Sequence, residues 1–144
     1  MLKRLYLGVL LLLGGCAGWF AVPYDSPLDV HATSAYGTAA KIAAEIQLGQ
    51  LTTADSYART TDQYASLMSD IAIAVQQAQG LQTHSSVAED NKKRLIDILT
   101  ACSAQTQTLA GLQKSSGLQP NAGAENGMMT TCSEAAKAAA AMKP

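Results

Sequence analysis

The stretch ADSYARTTDQYASLMSDIAIAVQQAQ, residues 54–79, decides the fold class of this chain. Tyr57, Tyr64, Leu67, Met68, Ile71, Val75 and Ala78 recur mostly at helical steps, so they fall on one continuous stripe. Arg59, Asp62, Gln63, Ser66 and Gln77 occupy the opposite face, as a solvated surface requires. Gly80 stands where the helix should stop, and Thr52 with Asp55 reads as a weak capping box at its start. A segment of this length with one apolar stripe needs other helices to cover it.

Those helices are legible on both sides. Upstream, Ala35, Ala39, Ile42, Ala43 and Ile46 share a face over residues 32–48, and Gly49 supplies a stop signal. Downstream, SVAE at residues 86–89 reads as a capping box, with Glu89 in the reciprocal position. Leu95, Ile98, Leu99, Cys102, Leu109 and Leu112 then point to the core. KSSGLQPNAGAENG, residues 114–127, has loop composition. A last helix over 128–142 is mainly alanine, which buries little area and would be marginal alone. The pattern contains no strand alternation, no internal repeat and no dinucleotide-type glycine fingerprint. It predicts an all-α fold, a small antiparallel bundle of about four helices, within the one-domain length of 144 residues.

Charge excludes one class of partner. The chain carries 10 Lys plus Arg against 11 Asp plus Glu, for a net charge of −1. No basic excess remains to neutralise phosphates, which argues against nucleic acid. Lys92, Lys93 and Arg94 form a short basic run, but Glu89, Asp90 and Asp97 surround it at helical spacing.

Catalytic patterns are missing from the sequence. The two histidines, His31 and His84, have no Cys or His near them at zinc-ligand spacing, and Asp29 beside His31 does not make a site. There is no C-x-x-C-H haem run, no G-x-S-x-G elbow and no pair of carboxylates on an apolar face. Asp62 and Asp70 lie on or beside polar faces. The expectation is a protein that is not an enzyme, with no catalytic residue, no metal and no cofactor.

The N-terminus carries an address. Lys3 and Arg4 precede an apolar run, residues 5–13, followed by Leu13-Gly14-Gly15-Cys16. This order resembles the signal peptide and lipobox of bacterial lipoproteins, with Gly14 where the family usually has Ala, Ser, Thr or Val. A membrane span over residues 5–22 is the competing reading, and Gly14, Gly15 and Gly18 count against a helix there. The resemblance implies cleavage after residue 15, lipid (palmitate among its chains) on Cys16, and attachment to a membrane of the cell envelope. Ala17 rather than Asp after the cysteine implies export to the outer membrane, facing the periplasm or the cell surface. Removal of residues 1–15 takes two of the ten basic residues and no acid, leaving −3. Trp19 and Phe20 follow as interfacial contacts or as packing on the domain, and Pro23 and Pro27 bracket a short stiff tether. The organisation is then signal peptide 1–15, lipidated cysteine and tether 16–31, and helical domain 32–144.

With Cys16 assigned to lipid, Cys102 and Cys132 remain, an even pair in a compartment that favours oxidation. The midpoint of their positions is Gly117, inside the expected loop, so an antiparallel helix pair would set them opposite each other. In size, anchor and helicity the chain resembles pilotins and the accessory lipoproteins of secretion and conjugation machines. That resemblance implies an interaction or accessory subunit of a larger envelope assembly, with a partner protein in a groove between helices. Candidate contacts are the exposed edges of Tyr57, Tyr64, Met68 and Met129. The alternatives are a structural, coat or exclusion role at the surface, or a small-ligand-binding bundle.

Overall fold

Asp25-Ser26-Pro27 opens the first helix in the computed structural model, which describes residues 22–142. The Asp25 carboxylate accepts the Leu28 amide at 2.7 Å, and Pro27 sits in the first turn, where no amide is needed. Helix α1 therefore runs Ser26–Gln47, and the stretch read as a tether contains its cap and first turns. Its far end closes on Gly49, whose φ of 70° fits the left-handed residue of a Schellman motif. The Gly49 amide bonds the Ile46 carbonyl and the Gln50 amide bonds Glu45.

A short 3-10 turn, Ala54–Ser56, leads into α2, Tyr57–Gly80. The Thr52–Asp55 box does not form. Instead the Thr53 carbonyl receives both the amide and the hydroxyl of Ser56. Helix α3 spans Ser86–Ser116 and α4 spans Asn126–Ala140. The cap of α3 is Ser85, one residue earlier than the SVAE reading, and its hydroxyl accepts the Ala88 amide at 3.1 Å. Glu89 is engaged elsewhere, with the Thr83 hydroxyl at 2.6 Å and Lys92 at 2.9 Å. Those bonds, the Thr83 one first, hold its carboxyl below the usual glutamate range.

Each helix packs on two neighbours, in the cycle α1–α2–α3–α4–α1. Successive helices alternate in direction, so one end of the bundle holds the α1–α2 and α3–α4 connections and the other holds the α2–α3 turn. The fold is all-α, a four-helix bundle with no strand among the described residues.

One spacing rule generates the core. Besides the acid Asp29, the buried positions in α1 are Leu28, Ala32, Ala35, Ala39, Ile42 and Ile46, in steps of four and three alternately. The same alternation gives Thr60, Tyr64, Leu67, Ile71, Ala74 and Ala78 in α2, and Leu95, Leu99, Cys102, Thr106, Leu109 and Gln113 in α3. Helix α4 continues it with Met128, Cys132, Ala135 and Ala139. This seven-residue repeat is the seam spacing of coiled coils and four-helix bundles. It also corrects the sequence reading at one point. After the three-step from Thr106 to Leu109 the next buried residue lies four on, so Gln113 enters the core and Leu112 stays 45% exposed.

The two connections at one end cross backbone to backbone. The Leu118 amide donates to the Leu51 carbonyl at 2.6 Å, and the Gln119 side chain donates to the Thr52 carbonyl. Gly117 makes the crossing feasible. Its φ of 75° and ψ of 173° belong to a region essentially reserved for glycine, and a Cβ there would collide with the Thr52 carbonyl and the Thr53 nitrogen.

Cys102 and Cys132 lie at disulfide distance between α3 and α4, with Cα atoms 4.8 Å apart and both side chains buried. The antiparallel hairpin geometry brings them together as the Gly117 midpoint requires.

Two predictions follow from this packing. Gly117→Ala should lower stability by at least roughly 1–3 kcal/mol, because the backbone conformation is lost before any clash is counted. Gly111→Ala, in an open position of α3, should raise it by about 0.5–1 kcal/mol. Urea midpoints compare the two, and equal effects would reject the crossing. For the cysteines, a closed loop of this size stabilises by roughly 3–4 kcal/mol in the chain-entropy model. Reduction should therefore release the amides of α4 to hydrogen exchange before those of α2. Exchange that rises uniformly, or peptide maps showing two free thiols in protein isolated without reductant, would contradict the bridge.

Candidate functional site

The expected partner residues divide between two sides of the bundle. Tyr57, Tyr64 and Met68 lie toward the α2–α3 seam, where the Met68 sulfur accepts the Ser103 hydroxyl. Met129 lies on the α1–α4 seam, on the other side of the ring. They do not form one patch.

Tyr64 is not an exposed edge. It is 5% exposed and its hydroxyl donates to the Gln113 side-chain oxygen at 2.8 Å. Burial, then the neighbouring Tyr57 and Glu45, push its ionisation well above the ordinary phenol range, so it serves as a neutral donor. Tyr57 is half-buried, with its ring centroid 6.1 Å from that of Tyr64 and the Lys114 ammonium over the ring at 6.0 Å.

Gln113 organises a buried polar cluster that the sequence pattern did not reveal. Its side-chain oxygen accepts from Tyr64 and from Thr60 at 3.1 Å, while its nitrogen donates to Ser56 at 3.0 Å. Ser56 in turn donates to the Thr53 carbonyl. The cluster ties the start of α2 to the end of α3, and its partners are mutually satisfied. Its chemistry is structural.

A second polar contact at the same end joins α1 to the α3–α4 connection, where the Gln47 amide donates to the Glu125 carboxylate. Glu125 is buried, and its other oxygen has no partner within the described structure.

His31 and Asp70 pair across the α1–α2 seam at 2.7 Å, and Ser34 donates to the other Asp70 oxygen at 2.6 Å. All three residue types of a hydrolytic triad are present, yet both Ser34 and His31 address the carboxylate. Ser34 and His31 are thus both committed to Asp70, not arranged as nucleophile and base. His31 pairs with Asp70 on the facing helix, and Asp29 accepts the Tyr24 hydroxyl at 3.2 Å. Among the described residues no group of three or more His, Cys, Asp or Glu side chains could hold a metal ion.

A groove of about 310 Å³ opens between α1 and α4, lined by Tyr36, Met129, Thr130, Ser133, Glu134 and Lys137. Apolar Tyr36 and Met129 sit beside one acid and one base, a mixture suited to a peptide or helix more than to a buried small molecule. Compared with protein-family models, curated proteins and solved structures, the chain matches none. Cys16 and the Leu13-Gly14-Gly15-Cys16 motif, with Trp19 and Phe20, lie outside the described residues. No helix among the described residues is long and apolar enough to cross a membrane.

The Gln113 cluster yields a test by rescue. Gln113→Leu leaves the buried Tyr64 hydroxyl without an acceptor and should cost roughly 1–3 kcal/mol. Adding Tyr64→Phe removes the orphaned group and should restore part of the loss, a coupling of about 0.5–3 kcal/mol in a double-mutant cycle. Additive effects in urea unfolding would show that the bond contributes nothing.

Proposed function

We propose that the chain is a lipid-anchored protein of the cell envelope whose helical bundle serves as an interaction or accessory subunit of a larger assembly. The observation that carries the reading is the order Lys3-Arg4, apolar run, Leu13-Gly14-Gly15-Cys16. Charge, apolar length, small residues and a cysteine must all occur in sequence for the processing and lipidation of such a signal. The resemblance includes a triacylated anchor, and more than one chain gives lasting attachment.

Two features of the bundle support the same reading. A cysteine pair at disulfide distance in a buried seam suits an oxidising compartment. The α1–α4 groove presents Tyr36 and Met129 with Glu134 and Lys137, chemistry that fits an amphipathic helix of a partner protein. The outer membrane is the proposed destination, because Ala17 follows the cysteine. The partner-facing role belongs to Met129 on this groove, with Tyr57 and Met68 on the opposite seam.

Metabolic labelling with palmitate tests the anchor. Label should enter the wild-type chain and be lost in Cys16→Ser, and the mature mass should lack residues 1–15. Equal labelling of the two, or a mass that retains Met1, would reject the lipid and restore the membrane span. Crosslinking after mild detergent extraction then tests the assembly. One stoichiometric envelope partner, lost on Met129→Glu, supports the accessory role, and recovery of the protein alone argues for a coat.

A further inference from the structure

We infer that the end of the bundle bearing the α2–α3 turn lies on the bilayer surface, with Tyr24, Val30 and Val87 at the headgroup boundary. The inference rests on lipidation of Cys16 and adds to it an orientation, a contact surface and a lipid partner.

Chain length makes the first selection. Val22 is already part of the buried core, immediately before the Asp25 cap of α1. Six residue steps separate it from Cys16, and whatever their conformation they span at most about 20–22 Å. Helix α1 has 22 residues, so the two ends of the bundle lie about 33 Å apart. The leash is shorter than the bundle is tall. The end with the crossed connections, which carries exposed Leu48 and Leu112, cannot be set down on the membrane that holds the lipid. Two orientations remain, upright on the α2–α3 turn or lying on one side.

Surface chemistry selects between them. Val30 is 58% exposed in the first turns of α1, Val87 is 47% exposed at the start of α3, and Tyr24 is exposed just before α1. All three belong to the end from which the leash leaves. The flanks of α1, α2 and α3 present polar residues instead, such as Ser34 and Lys41, Asp62 and Ser66, and Thr100 and Gln107, while the α1–α4 side with Tyr36 and Met129 is the face proposed for the partner protein. An apolar residue gains by entering the acyl boundary, whereas these flanks would lose hydration there.

The basic run of this end, on α3, is compensated. Lys92 is tied to Glu89 and to the Leu81 carbonyl, and Lys93 and Arg94 alternate with Asp90 and Asp97 at helical spacing. The contact is therefore apolar, made with neutral lipid, and insensitive to salt.

Full-length lipidated protein tests the orientation. In a Trp19→Phe background, single tryptophans are placed at the turn end (Val87→Trp, and Val30→Trp as an independent variant), on a flank (Thr100→Trp) and at the far end (Leu48→Trp). The protein is reconstituted into phosphatidylcholine vesicles with or without brominated acyl chains. Emission at both turn-end positions should shift to the blue and be quenched about twofold, in low and high salt alike, as expected of side chains at the acyl boundary. The flank and far-end positions should be unchanged. Quenching at Thr100→Trp equal to that at Val87→Trp would show a bundle lying on its side and overturn the inference. Absence of quenching at every position would also overturn it, provided the protein floats with vesicles and carries palmitate. Loss of flotation and palmitate together would instead reject the lipid anchor, and this inference with it.

Discussion

The crossing of the Leu118 and Leu51 backbones is the constraint on which the rest of the bundle depends. It bonds the α3–α4 connection directly to the α1–α2 connection, so the two helical hairpins meet at a fixed point. Gly117 lets the main chains approach, and the Gln113 cluster fills the space just inside with satisfied polar groups. Below that cap the four-three alternation of apolar and small residues runs toward the other end. Each hairpin also has its own lock. His31 with Asp70 and Gln63 with Glu45 bridge α1 and α2, and the cysteine pair bridges α3 and α4.

Much of this architecture was legible in the residues themselves. The stripe of α2, the Gly49 stop and the pairing of Cys102 with Cys132 came from period, turn chemistry and hairpin symmetry, all local or nearly local signals. The start of α1 is legible too, although its two prolines also suggest a tether. Asp25-Ser26-Pro27 is an N-cap followed by a proline in the one helical turn that tolerates it. Gln113 was hidden for a different reason. Polar residues are assigned to the surface by default, and only the strict alternation of α3 puts Gln113 inside and Leu112 outside. His31 and Asp70 lie far apart in sequence, so their meeting depends on the helix register, which residue spacing alone does not supply.

The polar clusters of the described bundle bond inward, side chain to side chain. Buried Gln113, Tyr64 and Thr60 satisfy one another, and Ser34 and His31 both serve the same carboxylate. On the function proposed here, the α1–α4 groove and the turn end would have separate tasks, one toward a protein and one toward lipid.

The cysteine pair has a consequence for alignment. Helix α4 brings Ala135, Ala136 and Ala139 to the core, and α1 brings Ala32, Ala35 and Ala39. Alanine stripes let helices come close, but they are nearly featureless along their length. A slide of one turn, about 5.4 Å, would replace alanine by alanine and change the packing little. Leucine and isoleucine layers resist such slippage through shape, and α4 sets against it only Met128 at its first turn. A covalent tie between Cys102 and Cys132 excludes the slide outright, so its contribution is as much to the uniqueness of the native alignment as to its free energy. Without it, α4 would retain a place to dock but lose the mark that tells it where to stop.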